Sequence, residues 1–254
     1  MKNQLKIMSF NLRVDTPVDG INAFSKRYQR VIDTIRSETP DLIGFQEATP
    51  DMTNRLRQHL PEYTFQGCGR SVDCTGEAMV VAYQTSDVAL ISLENFWLSN
   101  TPHAPGSTYG GDQSRCPRMA IALKVKHKDF ENPFYFINTH LDHKGEEARY
   151  LGSVQLVQYI SELRAPVILT GDFNALPETR EIKIFESALQ SRGMLDCSKQ
   201  LGGTYHGYGA LADPIKIDYI FSDMVCEDTY IVQDVPVNGQ YYSDHNAICA
   251  LLKL

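Results

Sequence analysis

The chain has 254 residues, of which 43% are hydrophobic and 22% charged. That composition suits a soluble protein with a sizeable core and excludes a disordered or low-complexity chain. A formal charge of −7 weighs against the basic stripe of a protein that tracks long nucleic acid, although a divalent cation in an acidic site would reverse the field locally.

In chain order, Leu5 to Leu12 alternates in part and reads as a strand. Ser25 is placed to cap a helix carrying Tyr28, Val31, Ile32 and Ile35, with Pro40 beyond its end. The apolar run Asp41 to Glu47 reads as a buried strand, followed by a helix with Met52, Leu56 and Leu60 on one face. Ala78–Tyr83, Val88–Leu98, Met119–Val125 and Pro133–Leu141 read as strands, the last two joined by a polar turn around Lys128–Asn132. Between Ser99 and Pro117 lies an aperiodic stretch rich in Gly, Pro, Ser and Thr, long enough to suggest a functional loop. Glu146–Leu163 reads as a helix, Ala165–Thr170 as a buried strand and Glu178–Leu189 as a helix. Strands near Ile215–Phe221, Tyr230–Val235 and Ala247–Leu252 complete the chain.

Helices interleaved with many strands, some antiparallel, predict a layered α/β fold in which helices cover sheet. No repeat, linker or charge block is visible, so residues 1–254 are expected to form one domain. The N-terminus carries no signal-peptide pattern, and no stretch is long and apolar enough to span a bilayer. Six scattered cysteines without a Cys-x-x-Cys pair predict reduced thiols in the cytoplasm, though Cys68 and Cys74 could bridge.

Polar groups stand where apolar strands run out: Asn11 after Ile-Met-Ser-Phe, Glu47 after Leu-Ile-Gly-Phe-Gln, His140 after Phe-Ile-Asn-Thr, and Asp172 after Val-Ile-Leu-Thr-Gly. Sheets of α/β folds place ligand sites at such ends. In Gly171-Asp172-Phe173-Asn174 the glycine permits a sharp turn that would let Asp172 and Asn174 converge on one centre. Their oxygens suit Mg²⁺ or Mn²⁺; an Asx-turn capping the strand is the structural alternative. His245, in Ser243-Asp244-His245, could relay a proton or neutralise charge at a phosphoryl group. Asp218, inside the apolar segment Lys-Ile-Asp-Tyr-Ile-Phe, would orient it, or would instead pair with Lys216 or a nearby arginine.

Six pieces in order resemble the endonuclease/exonuclease/phosphatase superfamily, which is deoxyribonuclease-I-like in fold. They are Ser-Phe-Asn11-Leu, Gly-Phe-Gln-Glu47, Asn-Thr-His140-Leu, Thr-Gly-Asp172-Phe-Asn174, Ile-Asp218-Tyr-Ile-Phe and Ser-Asp244-His245. The resemblance implies a four-layer α/β sandwich: two packed mixed sheets flanked by helices, with the site at one end. It implies that Glu47 is the principal Mg²⁺ (or Mn²⁺) ligand, assisted by Asn11, with Asp244 serving the metal site. Asp172 and Asn174 would position the attacking water, Asp172 being a candidate base or ligand of a second ion. His245, oriented by Asp218, would contact the scissile phosphate, and His140 would bind a phosphate oxygen or assist the leaving group. Such a site hydrolyses a phosphate ester by charge neutralisation and an in-line water.

Substrate must be argued from the surroundings. His143 and Arg149 follow His140 closely, and Arg149, in the first turn of a helix, either faces the site as a phosphate clamp or pairs with Glu146 outside it. Phe96-Trp97-Leu98-Ser99-x-Thr101-Pro102 and Cys116-Pro117-Arg118 resemble a bacterial subgroup of mostly uncharacterised members, some of them phosphatases of phosphorylated sugars. The intervening loop would wall or lid a compact substrate, with Arg115 or Arg118 reaching its phosphate; Trp97 is expected in the core. The lysines form no stripe interleaved with aromatics, so a small phosphorylated metabolite such as a sugar phosphate is favoured, with a nuclease acting on DNA or RNA as the alternative. No amphipathic insertion segment points to membrane lipid. A catalytically dead binding module would be expected to lack one of the six motifs, and all are present.

Overall fold

Along the first strand, β1 (Gln4–Asn11), Leu5 and Ile7 fall into one apolar cluster and Met8 and Phe10 into another, because successive side chains leave opposite faces of an extended chain. A sheet apolar on both faces must be covered on both, and this requirement builds the layers. The computed structural model describes residues 4–253. One six-stranded sheet has the order β11 (Cys226–Val232), β12 (Ala247–Lys253), β1, β2 (Leu42–Ala48), β4 (Ala78–Gln84), β3 (Tyr63–Gly69). The other has the order β5 (Val88–Trp97), β6 (Met119–His127), β7 (Phe134–His140), β8 (Val167–Asp172), β10 (Asp218–Ser222), β9 (Leu195–Asp196).

Leu5, Ile7, Val81, Ile121, Phe136, Ile168 and Ile220 interdigitate between the sheets. Helices α1 (Phe24–Glu38) and α2 (Pro50–His59) cover the outer face of the first sheet through Val31, Ile32, Ile35, Met52 and Leu56. Helices α3 (Glu146–Glu162) and α4 (Arg180–Ala188) cover the second through Leu156, Ile160, Ile182 and Phe185. The two mixed sheets flanked by four helices are the expected four-layer sandwich.

The predicted strands and helices form, with three instructive differences. Helix α1 begins at Phe24, so Ser25 lies inside its first turn, and the Ser25 N–H is capped from a distance by Asp15 Oδ1 at 3.0 Å. Asp218 opens β10 rather than lying within it, because Ile215 bridges instead to Tyr205. Strand β3 was not anticipated; its glycines at 67 and 69 dilute the alternation of Tyr63 and Phe65.

Where β2 packs on β7 and β8, the core turns polar. A Cβ on Gly44 would lie 2.3 Å from Thr170 Oγ1 and 2.6 Å from Asn138 Oδ1. Asn138 accepts from Gln46 Nε2 at 2.7 Å and from Thr170 Oγ1 at 3.1 Å, and donates to the Phe45 carbonyl at 2.8 Å, all fully buried. This network, in which Gln46 Oε1 alone lacks a partner, sits two residues short of His140 and Asp172 and ties the two sheets together.

Candidate active site

Strand direction gathers the polar residues. β1 and β2 are parallel, as are β7 and β8, so Asn11, Glu47, His140 and Asp172 emerge at one end of the sandwich. The antiparallel neighbours enter from that end. Glu77 therefore precedes β4, Arg118 precedes β6, Asp218 opens β10 and His245 stands shortly before β12. There Glu47, Glu77, Arg118, His140, Asp172 and His245 line a cavity of about 500 Å³ with Arg13, Arg70, His143, Asn174, Tyr205 and Asp244, while Asn11 and Asp218 stand behind them, bonded to Glu47, Asp172 and His245.

Glycine at 171 is needed for a different reason from the one the sequence suggests. It is extended within β8, where a Cβ would meet the Thr139 carbonyl at 2.3 Å. The turn is made by Asn174, whose φ is 48°, and Asp172 Oδ1 accepts the Asn174 N–H at 2.9 Å. The Asx-turn and the converging site are thus one structure. It leaves Asp172 Oδ2 to accept from Asn11 Nδ2 at 3.0 Å and to face both histidines. Glu47 and Arg13 also hold positive φ, at 60° and 51°, a clustering of backbone strain that accompanies functional sites.

His245 donates from Nδ1 to Asp218 Oδ2 at 2.8 Å, and its Nε2 lies 3.8 Å from Asp172 Oδ2. Lys216 pairs instead with Asp196 at 3.2 Å, which settles the alternative for Asp218. Burial opposes charge on the imidazole, yet Asp218, then Asp244 and Asp172, raise its pKa to about 10. Burial and Asp218 push the Asp172 carboxyl up to about 7; burial likewise raises Asp244, with Glu47 adding to it. His140 stays neutral, its pKa lowered by burial and by the nearby Arg118 and Arg70. Asn174 Nδ2 donates to both His140 Nε2 (3.0 Å) and the Leu141 carbonyl (3.2 Å), which leaves the His140 proton on Nδ1.

Among the described residues, two groups of acidic and histidine side chains are close enough to hold an ion: Asp172–Asp218–His245, and Asp41–Asp87–His127 at the opposite end of the sandwich. In the second, His127 Nδ1 accepts the Asp129 N–H at 3.1 Å, so Nε2 carries the proton and offers no lone pair. In the first, His245 is protonated and equally closed to a metal. Beyond Asp172, the cavity also presents the hard oxygens of Glu47, Glu77, Asn174 and Asp244, with Asn11 directly behind Glu47. The Glu47 carboxylate is oriented by the Val14 N–H at 2.9 Å and Asn11 Nδ2 at 3.3 Å. A carboxyl raised by burial and by a neighbouring carboxylate, as Asp244 is, is a donor that a divalent cation relieves.

The basic wall differs from expectation in one member. Arg118 is only 4% exposed and its Nη2 lies 2.8 Å from His143 Nδ1; both line the cavity. Arg149 does not. Its Nε meets Glu181 at 3.3 Å and its Nη1 the Asp142 carbonyl at 3.1 Å, because the first turn of α3 faces α4 there. Its predicted alternative partner, Glu146, meets Arg180 at 3.7 Å.

The 99–117 loop is packed down, with Tyr109 on the Leu151 carbonyl and Gly106 against Val72. Of that loop only Cys116 lines the cavity, and Arg115 is exposed. Trp97 is buried, and its indole donates to the Arg70 carbonyl at 2.7 Å. All six cysteines are free.

The family model for the Endonuclease/Exonuclease/phosphatase family matches residues 8–245. The chain belongs to this family. An endonuclease/exonuclease/phosphatase from Bacteroides vulgatus is 31% identical, with a TM-score of 0.92 over the whole of both chains. A mannosyl-6-phosphatase of Bacteroides thetaiotaomicron is 25% identical, with a TM-score of 0.87 over 98% of this chain and 99% of that one. Zebrafish TDP2 in complex with a single-strand DNA product has a TM-score of 0.74 over both full chains, and at 18% identity it shares the fold alone.

Arg13, Arg70, Glu77 and Tyr205 line the site without having been singled out in the sequence. Arg70 follows β3, the strand that the alternation of Tyr63 and Phe65 could have revealed. Arg13 and Tyr205 sit on irregular backbone with no periodic signal. Arg27, fully buried in α1, donates to the carbonyls of Leu12, Arg13 and Tyr242 and so ties the loop bearing Arg13 to the one bearing Asp244.

Proposed function

We propose that the protein is a divalent-metal-dependent phosphoesterase that hydrolyses a small phosphorylated metabolite, such as a sugar phosphate, with an activated water. The observation that carries this reading is the convergence of Glu47, Asp244, Asp172 and His245 on one cavity, with Asn11 bonded to Glu47 and Asp172 and Asp218 bonded to His245 from behind. Mg²⁺ or Mn²⁺ on Glu47, Asn11 and Asp244 would neutralise charge on the phosphoryl oxygens. Asp172 and Asn174 hold the water, and Asp172 accepts its proton. His245, oriented by Asp218, presents Nε2–H to the phosphoryl group, and His140 offers its Nδ1–H to an oxygen or to the leaving group.

The compact cavity, the packed-down loop and the likeness to a sugar phosphatase support a small substrate over a polymer. We read residues 1–254 as one domain, supported by the apolar layer the sheets share, and assign it to the cytoplasm, supported by its free thiols. In the described residues no helix is long and apolar enough to cross a membrane.

The deciding experiment assays Mg²⁺-dependent hydrolysis across sugar phosphates, nucleotides, single-stranded and duplex DNA, and RNA. Turnover of sugar phosphates, abolished in Glu47→Ala and His245→Ala, is expected. Cleavage of polymers with indifference to every sugar phosphate would replace this reading with a nuclease.

A further inference from the structure

The cavity is polarised across its width. In the first sheet β3 and β4 lie on one side of β1 and β2, and β12 lies on the other; in the second, β6 and β10 flank β7 and β8 in the same way. Arg70 and Arg118 therefore stand to one side of Glu47, His140 and Asp172. Tyr205, against the His245 ring and bridged to Ile215, stands to the other with Ile217. One wall carries Arg118, His143 and Arg70, the last bridged to Glu77 at 2.7 Å, and the other carries Tyr205, Ile215 and Ile217, with Arg13 beside Asp244.

The arginine wall carries unspent donors. Among the described residues, Arg118 Nε and Nη1 and His140 Nδ1 are buried without a hydrogen-bond partner. Asp142 lies 3.5 Å from Arg118 Nε, but its carboxylate already accepts from the Ser114 N–H and hydroxyl and from the Lys144 and Gly145 N–H groups. Because a guanidinium can only donate, His143 Nδ1 accepts from Arg118, and the other ring nitrogen of His143 becomes a further donor. Burying such donors unpaired is costly unless an anion receives them.

Resting on the phosphoesterase reading above, we propose that Arg118, with Arg70 and His143, receives the non-ester oxygens of a terminal phosphate, making the enzyme a phosphomonoesterase that discriminates against diesters. The single ester substituent then points to Tyr205 and Ile215. A diester has one charge fewer, and its second substituent would cover the guanidinium groups. In the reaction the water oxygen bonds to phosphorus, the ester P–O bond breaks, and the alcohol leaves with a proton, so that inorganic phosphate remains on the wall.

The test compares kcat/KM for p-nitrophenyl phosphate and bis(p-nitrophenyl) phosphate, with Mg²⁺, in the natural protein, Arg118→Gln and Arg70→Gln. Two charge-assisted hydrogen bonds predict a loss of about 30- to 100-fold on the monoester in Arg118→Gln, and roughly tenfold in Arg70→Gln, with less than about threefold on the diester. Calorimetric titration with inorganic phosphate should weaken by about tenfold or more in both variants, while dimethyl phosphate binding stays unchanged. Equal losses on both esters, or full monoester activity in Arg118→Gln, would overturn the proposal. Should Arg118→Gln fail to fold, Arg70→Gln decides by the same ratio. If the natural protein cleaves neither ester nor any sugar phosphate, the phosphoesterase reading fails, and the phosphate titrations still decide the wall: equal binding in protein and variants refutes it.

Discussion

Asp172 and Asp218 face each other across the antiparallel strands β8 and β10, yet Asp218 alone holds the His245 imidazole, at 2.8 Å, while Asp172 stands 3.8 Å from its far nitrogen. Two neighbouring carboxylates thereby acquire separate roles, one as partner of a cation and one open to the cavity.

Asp218→Asn keeps the shape of that contact and removes the charge that sustains the imidazolium. Hydrolysis of an aryl phosphate is expected to fall by about 10²- to 10⁴-fold in kcat. The melting temperature, followed by circular dichroism, should show that the fold survives.

Chelation should abolish activity, and Mg²⁺ should restore it. In the natural protein, Mg²⁺ at about 100 times its dissociation constant should stabilise the fold by about 2.7 kcal/mol. Thermal melts of Glu47→Gln should show little of that gain, because the principal carboxylate ligand is gone. A full magnesium shift in Glu47→Gln would move the metal elsewhere.

Gly171→Ala sets a methyl 2.3 Å from the Thr139 carbonyl, where only strand separation gives relief. Denaturant unfolding should report a loss of about 2–4 kcal/mol. Activity should drop as well, since β7 and β8 carry His140 and Asp172 side by side.

Four donors hold the Asp142 carboxylate at a pKa of about 2, against the burial that works to raise it. A folded pKa below the unfolded 3.8 stabilises above that value, and the contribution disappears as the pH falls through 2. Discounted for partial hydration, Asp142→Asn should cost about 1–2 kcal/mol at pH 7 and close to nothing at pH 2. A cost independent of pH would show that the carboxylate charge is not what anchors the loop at Ser114.

Arg149→Met should leave KM within about twofold of the natural value while costing about 3 kcal/mol of stability, because Glu181, 1% exposed, loses its cation. A large rise in KM would return Arg149 to the site.

The legible part of the site is the part written locally. Asn11, Glu47, His140 and Asp172 each follow an apolar run, and a parallel strand that ends in a polar group announces itself in a handful of consecutive residues. Residues that precede antiparallel strands carry the same information in reverse, which is how Glu77 escaped notice. Arg70 was hidden with β3, whose glycines weaken the strand signal.

The pattern of apolar runs and polar strand ends was sufficient by itself for the layered fold, for six motifs in family order and for most of the acid, amide and histidine groups of the site. Tertiary structure decided which way Arg149 turns, which carboxylate takes His245, which nitrogen of His140 keeps its proton and why Gly171 is a glycine. Those outcomes depend on groups tens of residues apart being brought within contact range. Strand pairing and sheet packing set such distances, and no local stretch of chain encodes them.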